Sequence, residues 1–307
     1  MNNSIFFITG PTGIGKSDLA IKLSKKINGE IINADSMQIY KELKVITARP
    51  TNIDIKLIKH HLYGYVSGSE RYNVEKWCND AKNIIESLFK RNVTPIFVGG
   101  TGLYIDTLIN GITSIPSVPE SLKKESNNLF DKIGLDNFFD LIKKIDINAV
   151  NNISKNDTQR LKRIWEVYKF TGKKFSLWKD NKNKKFLDNI DYKIILFLPD
   201  RTKNYNRVNK RVESMIDNGA VHEIENLLKY NYSSKLPIMR AHGVPEISSY
   251  LQKNVTLDEC INNIQLVTRH YVKRQNTWWK SSNLQFYKKF NEFADEIDIN
   301  SNNLVQF

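Results

Sequence analysis

The run Gly10-Pro11-Thr12-Gly13-Ile14-Gly15-Lys16-Ser17 constrains this chain more than any other feature. It has the form G-x-x-x-x-G-K-[ST], follows the apolar stretch Ile5–Thr9, and precedes residues 18–27, where Leu19, Ala20 and Leu23 recur at helical spacing. Strand, glycine loop and helix in that order make a phosphate-binding loop. Glycines let backbone amides converge on phosphate oxygens, Lys16 adds positive charge, Ser17 offers a hydroxyl to Mg2+, and the helix N-terminus favours the anion. The motif specifies phosphate chemistry without specifying the compound, because a diphosphate fits it as well as a nucleotide does.

The stretches around the motif indicate the fold. A second strand is expected over residues 30–34, ending at Asp35, then a helix over 74–91 and a third strand over 94–98, followed by Gly99-Gly100-Thr101-Gly102. This alternation predicts an α/β fold, a P-loop core with a parallel sheet flanked by helices and ligands gathered at the carboxyl ends of the strands. The three loops should then face one cleft. An ordinary P-loop kinase or ATPase carries a metal-binding aspartate at the end of another strand. Here that strand ends in Gly99-Gly100, and only Asp35 remains for such a role, which weakens the nucleotide-hydrolase reading.

From Ile115 the pattern shifts: Pro116 and Pro119 interrupt the chain, and residues 121–185 are polar, basic and helical in pattern, with no convincing strand. We therefore expect a catalytic core formed by 1–115 and 190–307, with a strand over 192–198 and a helical C-terminal part, carrying an inserted helical lobe at 116–189. Residues beyond Phe290 are polar and acidic and are expected to fray. Cys78 and Cys260 stand alone, so neither a disulfide framework nor a thiolate zinc site is indicated. No apolar run approaches the roughly 20 residues that cross a bilayer, and Ile5–Ile8 lacks the basic flank of a secretory signal. A cytoplasmic monomer with no membrane partner is expected.

The formal charge of +13 suits a polyanionic partner, although a chain rich in Lys, Asn and Ile can also carry charge on plain solvated faces. Distribution is more telling. Residues 155–185 contain eleven Lys or Arg against three acids, and Trp165, Tyr168, Phe175 and Trp178 interleave with them. Arg160 and Arg163 share a helical face. Phosphates and unstacked bases of an RNA loop would suit that surface, and the alternative for any one aromatic ring is a place in the core. A second basic and aromatic stretch runs from Arg269 to Lys289.

Further stretches resemble signatures of the tRNA dimethylallyltransferase family, in the family's order: residues 35–40 (DSMQIY), 47–51 (TARPT), 60–62 (HHL), 99–104 (GGTGLY), 156–163 (NDTQRLKR), 240–246 (RAHGVPE), and 268–278 from Thr268-Arg269 through RQNTW. The resemblance spans about Ile5 to Trp279. It implies that the phosphate loop, Gly10 to Ser17, holds the diphosphate of dimethylallyl diphosphate with Mg2+ on Ser17. The acceptor it implies is the exocyclic amine of the adenosine 3′ of the anticodon, in tRNAs reading codons that begin with U. Asp35 is the candidate base, with helix cap or metal ligand as the alternative roles. Lys16, Thr12 and Thr101 are placed near donor and base, the two threonines reading otherwise as loop hydroxyls. Lys123 stands where the family usually has an arginine, with the adjacent Lys124 as the alternative substitute and a plain solvated pair as the other reading. The resemblance further implies contacts to the tRNA anticodon stem-loop from Asp35, Ser36, Met37, Gln38, Thr101, Lys123, Gln159, Arg160, Leu161, Lys162, Arg163, Arg240, Ala241, His242, Gly243, Val244 and Pro245.

Overall fold

The computed structural model describes residues 4–113, 115–151, 153–178, 183–187, 190–300 and 304. In chain order the elements are β1 (Ser4–Thr9), α1 (Lys16–Ile27), β2 (Gly29–Asn33), α2 (Asn52–Leu57), β3 (His60–His61), α3 (Val74–Lys90), β4 (Thr94–Gly99), α4 (Gly102–Asn110), β5 (Ile112–Thr113), α5 (Glu120–Ile145), α6 (Ile147–Val150) and α7 (Thr158–Thr171). There follow β6 (Asn183–Lys184), β7 (Asp191–Phe197), α8 (Arg201–Asp217), α9 (Ala220–Leu228), α10 (Val244–Leu251), α11 (Leu257–Ser281) and β8 (Lys288–Phe290). Among the described residues no helix is long and apolar enough to cross a membrane.

Six strands form one parallel sheet in the order β3-β2-β4-β1-β7-β8. β1 is buried at every position and β4 at all but its first, which is why both read as unbroken apolar runs rather than alternating ones. Helix α1 begins at Gly15 in the left-handed conformation and ends at Asn28, also left-handed. Asn73 caps α3 by accepting a hydrogen bond from the Lys76 amide. Because all strands run the same way, the loops after β1, β2 and β4 emerge at one end of the sheet.

Contacts divide the chain into two compact units, Met1–Ile109 with Phe186–Phe307, and Asn110–Lys185. The second unit has its own apolar centre, in which Phe138 and Ile142 of α5 meet Leu161, Ile164 and Trp165 of α7. Its helix α5 breaks at Gly134, where φ is +77°. Strands are not wholly absent from it, since β5 and β6 form a two-residue antiparallel pair.

The expectation of a frayed segment after Phe290 is wrong for the described residues. Phe293, Ala294, Ile297, Ile299 and Leu304 are buried beside Leu19 and Leu23 of α1, and β8 adds a strand to the sheet edge beside β7. Polar residues between these apolar ones lower the average hydropathy of the segment, yet the apolar side chains fall on the packed side.

Candidate active site

The phosphate loop folds as its sequence requires. Gly10 has φ +138°, and a side chain there would collide with the Phe197 carbonyl at the end of β7. Lys16 folds back over the loop, its Nζ donating to the Pro11 carbonyl at 2.6 Å. Burial, reinforced by the neighbouring Arg211, lowers the Lys16 ammonium to about 7, against the opposing pull of Asp35. Arg211 is lowered by burial too, and Asp35 again favours its charge. Lys16 and Arg211 line a cup with two carboxylates, Asp35 and Asp18, the latter raised first by burial, and the loop amides at the start of α1 add the positive character that an anion would meet. The cavity they line, about 230 Å³, brings the loops after β1, β2 and β4 into one cleft, as expected.

A second cavity of about 190 Å³ adjoins the first. Ile46, Val208, Val212, Met215 and Ile264 give it an apolar wall, while Thr12, Asp35, Thr47 and Arg211 line both cavities. A phosphate cup therefore opens, across a carboxylate and a guanidinium, into a greasy chamber. A ligand with an anionic head and a short hydrocarbon body would match both halves.

Asp35 is fixed by its surroundings. The Met37 and Gln38 amides donate to its Oδ1 at 2.8 and 3.3 Å, and its own amide donates to Asn33 Oδ1 at 2.8 Å. Asp35 Oδ1 thus closes a turn and caps no helix, the next helix starting at Asn52 under its own Thr51 cap, and the carboxylate lines both cavities. Thr101 Oγ1 accepts from the Ser36 amide at 3.1 Å, which ties the loop after β4 to the Asp35 loop. Gln38 donates to the Thr47 and Ala48 carbonyls at 2.8 and 3.0 Å, so its side chain braces the wall of the cup.

Gly99 explains the absent strand-end acid. A side chain there would overlap the Ala34 backbone, whose carbonyl also accepts from the Thr101 amide at 3.2 Å. Among the described residues no three His, Cys, Asp or Glu side chains gather at a metal-binding distance. Ser17 opens α1 within the cup that Asp35 also lines. Such a sparse donor set fits Mg2+, which keeps several waters and takes further oxygens from phosphate, and fits poorly any metal that needs a full protein cage.

Two residues of the site escape sequence reading. Arg211, in the third turn of α8, donates to Thr12 Oγ1 at 3.4 Å and to the Thr47 carbonyl at 3.5 Å. Nothing in its polar neighbourhood forms a motif; its only signal is one-turn spacing with Val208. Gln275 of α11 accepts from the Thr12 amide at 2.9 Å and donates to the Gly100 carbonyl at 3.1 Å, pinning two phosphate-side loops to one helix. It was legible as part of a signature but not as a clamp.

The other predicted contacts separate by exposure. Ala241, Gly243 and Val244 are buried, Arg240 and Pro245 are exposed, and His242 lies half-buried at the chamber, its ring 5.0 Å from that of Tyr271. Burial and then Arg274 lower the His242 imidazole, against Glu246 and Asp35. Within the inserted unit, Gln159 and Arg160 are exposed, and Arg160 Nε lies 3.3 Å from the helix-capping Asp157. Lys162 donates to Asn127 Oδ1 at 2.8 Å over the Phe130 ring, and Arg163 is half-buried beside Glu166. Leu161 is fully buried, so its side chain packs the unit's core rather than facing a ligand. Lys123 Nζ pairs with Glu120 at 3.0 Å, whereas the adjacent Lys124 is exposed. Trp165 and Trp279 are core residues, while Tyr168 and Phe170 keep substantial exposed surface.

The family described as IPP transferase matches residues 38–282, and the isopentenyl transferase family matches residues 3–65. A tRNA dimethylallyltransferase from Ehrlichia chaffeensis is 38% identical over 298 residues, covering 96% of this chain and 97% of that protein. One from Wolbachia pipientis subsp. Culex pipiens is 42% identical over 282 residues, covering 92% and 93%. Among solved structures, a eukaryotic dimethylallyltransferase acting on tRNA superposes with a TM-score of 0.81 at 28% identity, over 99% of this chain and 77% of that one. The tRNA isopentenylpyrophosphate transferase of Bacillus halodurans gives a TM-score of 0.69 at 28% identity, over 99% and 94%.

Proposed function

The chain belongs to the IPP transferase family, and from that premise we propose that it is a tRNA dimethylallyltransferase. It moves the dimethylallyl group of dimethylallyl diphosphate to the N6 amine of the adenosine 3′ of the anticodon, position 37, in tRNAs reading codons that begin with U. The observation that carries this reading is the pair of adjoining cavities, one phosphate-binding and one apolar, that share Thr12, Asp35, Thr47 and Arg211.

The diphosphate sits in the cup, and the five-carbon group extends into the chamber. As the amine nitrogen bonds to the allylic carbon, the bond from that carbon to the diphosphate oxygen breaks, and the electron pair leaves with the diphosphate. The amine proton passes to Asp35, whose fixed orientation matters because adenine's amine is a weak nucleophile. Lys16, Arg211 and the loop amides meet the charge that grows on the leaving oxygens. Ser17 would hold Mg2+ from the protein side, and the ion would supply neutralisation of the diphosphate charge when bound. Gln275 and Thr101 keep the three loops in register, so the donors need no rearrangement during transfer.

In this reading, the acceptor base leaves its stack to reach Asp35, past residues 36–38 and 240–245. The basic surface of the inserted unit, from Lys123 or Lys124 through Gln159, Arg160, Lys162 and Arg163, holds tRNA phosphates. The protein acts in the cytoplasm as a monomer. Mass spectrometry of unmodified tRNA incubated with protein, Mg2+ and dimethylallyl diphosphate, without ATP, tests the proposal beside a tube containing AMP. Gain of one dimethylallyl mass on the adenosine 3′ of the anticodon is expected; prenylated AMP with unaltered tRNA, or turnover only with ATP, would replace it.

A further inference from the structure

Residues 291–300 lie beyond residue 282, where the IPP transferase match stops. Their backbone nevertheless reaches the phosphate loop, the Ala294 amide donating to the Ile14 carbonyl at 2.8 Å. The Asp295 side chain lies against Gly15, so close that even a methyl group at position 15 would overlap it. Phe293, Ala294 and Ile297 are buried in one cluster with Ile14 and Leu19. The last turn of the loop before Lys16 is therefore held from behind by a segment from far along the chain.

A carboxylate beside Gly15 is at odds with an anion site, since it opposes any diphosphate in the cup. Its influence is visible on Asp18, whose carboxyl is raised first by burial and next by Asp295. Arg207 of α8 answers that charge. Its Nη1 donates to the two oxygens of Asp295 at 2.8 and 2.9 Å, its Nη2 to Glu296 at 3.1 Å, and its guanidinium lies 3.8 Å from the centre of the Phe293 ring. One side chain thus binds two acids and an aromatic ring of the same segment. Arg207 also precedes Val208, which packs against Gly13, and Arg211 stands one turn further on, so the same helix bears on the loop at three levels.

We propose that Arg207 is a positioning residue for the donor: it locks residues 293–297 behind the phosphate loop and neutralises Asp295, so that the loop's amides face the diphosphate without a competing negative charge. The inference rests on the diphosphate reading of the loop. Steady-state kinetics of the full chain test it. Arg207→Gln is expected to raise the KM for dimethylallyl diphosphate about tenfold, leaving kcat and the KM for tRNA within about twofold, because it exposes the loop to an uncompensated charge. Adding Asp295→Asn removes that charge and should bring the donor KM back to within about threefold of the wild type. A double variant no better than the single one, or a loss confined to kcat, overturns the proposal.

If Arg207→Gln does not fold, hydrogen exchange at the Ala294 amide of the unaltered protein carries the test, with magnesium pyrophosphate as the probe. A segment coupled to the loop should exchange about tenfold more slowly when pyrophosphate is bound, as linkage requires; unchanged exchange overturns the proposal. Protection by pyrophosphate without prenylation of tRNA would remove the prenyltransferase reading and leave this one standing, whereas absence of pyrophosphate binding would remove both.

Discussion

In the phosphate-loop unit, candidate groups are enclosed, and Thr12 and Thr101 are tied to partners distant in sequence; in the inserted unit Gln159 and Arg160 are exposed, and Arg160 and Lys123 pair with acids about a turn away. Thr12 is fixed by Gln275, 263 residues further on, and by Arg211, 199 residues on. Arg160 by contrast leans on Asp157 and Lys123 on Glu120, both three residues apart and largely solvated. The difference matches two kinds of work. Bond transfer needs donors and a base fixed before the reaction, in a place where charge is poorly screened. Holding an RNA backbone needs positive charge near phosphate and tolerates side-chain motion, because much of the gain comes from displaced counterions.

The sharpest way to break this comparison is to remove the base. Asp35→Ala should lower single-turnover transfer by about a thousandfold or more, within the range of general-base effects, while tRNA affinity by filter binding changes less than about threefold. Comparable loss of affinity would mean that Asp35 holds the RNA rather than the proton. Next in size is Arg211→Leu, which leaves an apolar residue where growing diphosphate charge should be met; kcat/KM should fall roughly a hundredfold. A variant with near-normal kcat/KM would show that Arg211 merely braces Thr47.

Smaller still is the expected effect in the inserted unit. Arg160→Ala should weaken tRNA binding by about three- to tenfold and flatten the dependence of log affinity on log salt by roughly one unit, with the single-turnover rate at saturating tRNA unchanged. An unaltered salt slope would mean that Arg160 touches no phosphate, and the contrast between the units would then lose its electrostatic half.

The smallest expected effect concerns stability away from the cleft. Hydrogen bonds from Arg91 hold the Glu30 carboxyl down at about 2, helped by His61 and opposed by burial. A depressed carboxyl contributes stability above its ordinary value near 4.5, and that contribution is lost as pH falls from there through about 2. Urea unfolding should therefore show Glu30→Gln less stable than the wild type at pH 7, with the two converging near pH 2. A constant gap across that range would assign the loss to packing instead of charge. Activity at neutral pH should change little, since Glu30 lies at the start of β2 and the cleft at its other end.

Local patterns made much of this legible. The buried strands appear as apolar runs, the phosphate loop as a glycine pattern between strand and helix, and the helices flanking them as periodic stripes. What failed was the segment after Phe290, whose apolar residues are too scattered among acids to resemble a core element, although five of its described side chains are buried. Leu161 failed differently, because a residue between Arg160 and Lys162 in a signature reads as part of the binding face until helix geometry turns it inward.

The sequence by itself determined the phosphate loop, the parallel sheet and Asp35 as the residue at a strand end, because each depends on residues adjacent or regularly spaced along the chain. Only the tertiary structure decided which distant side chains complete the cleft. Arg211, Gln275 and Arg207 carry no local signature of their tasks, since a side chain's partners across a fold are chosen by packing of whole helices against loops. The chamber beside the phosphate cup was equally invisible beforehand: its wall draws Ile46, Val208 and Ile264 from three separate regions, and a cavity exists only where such surfaces meet.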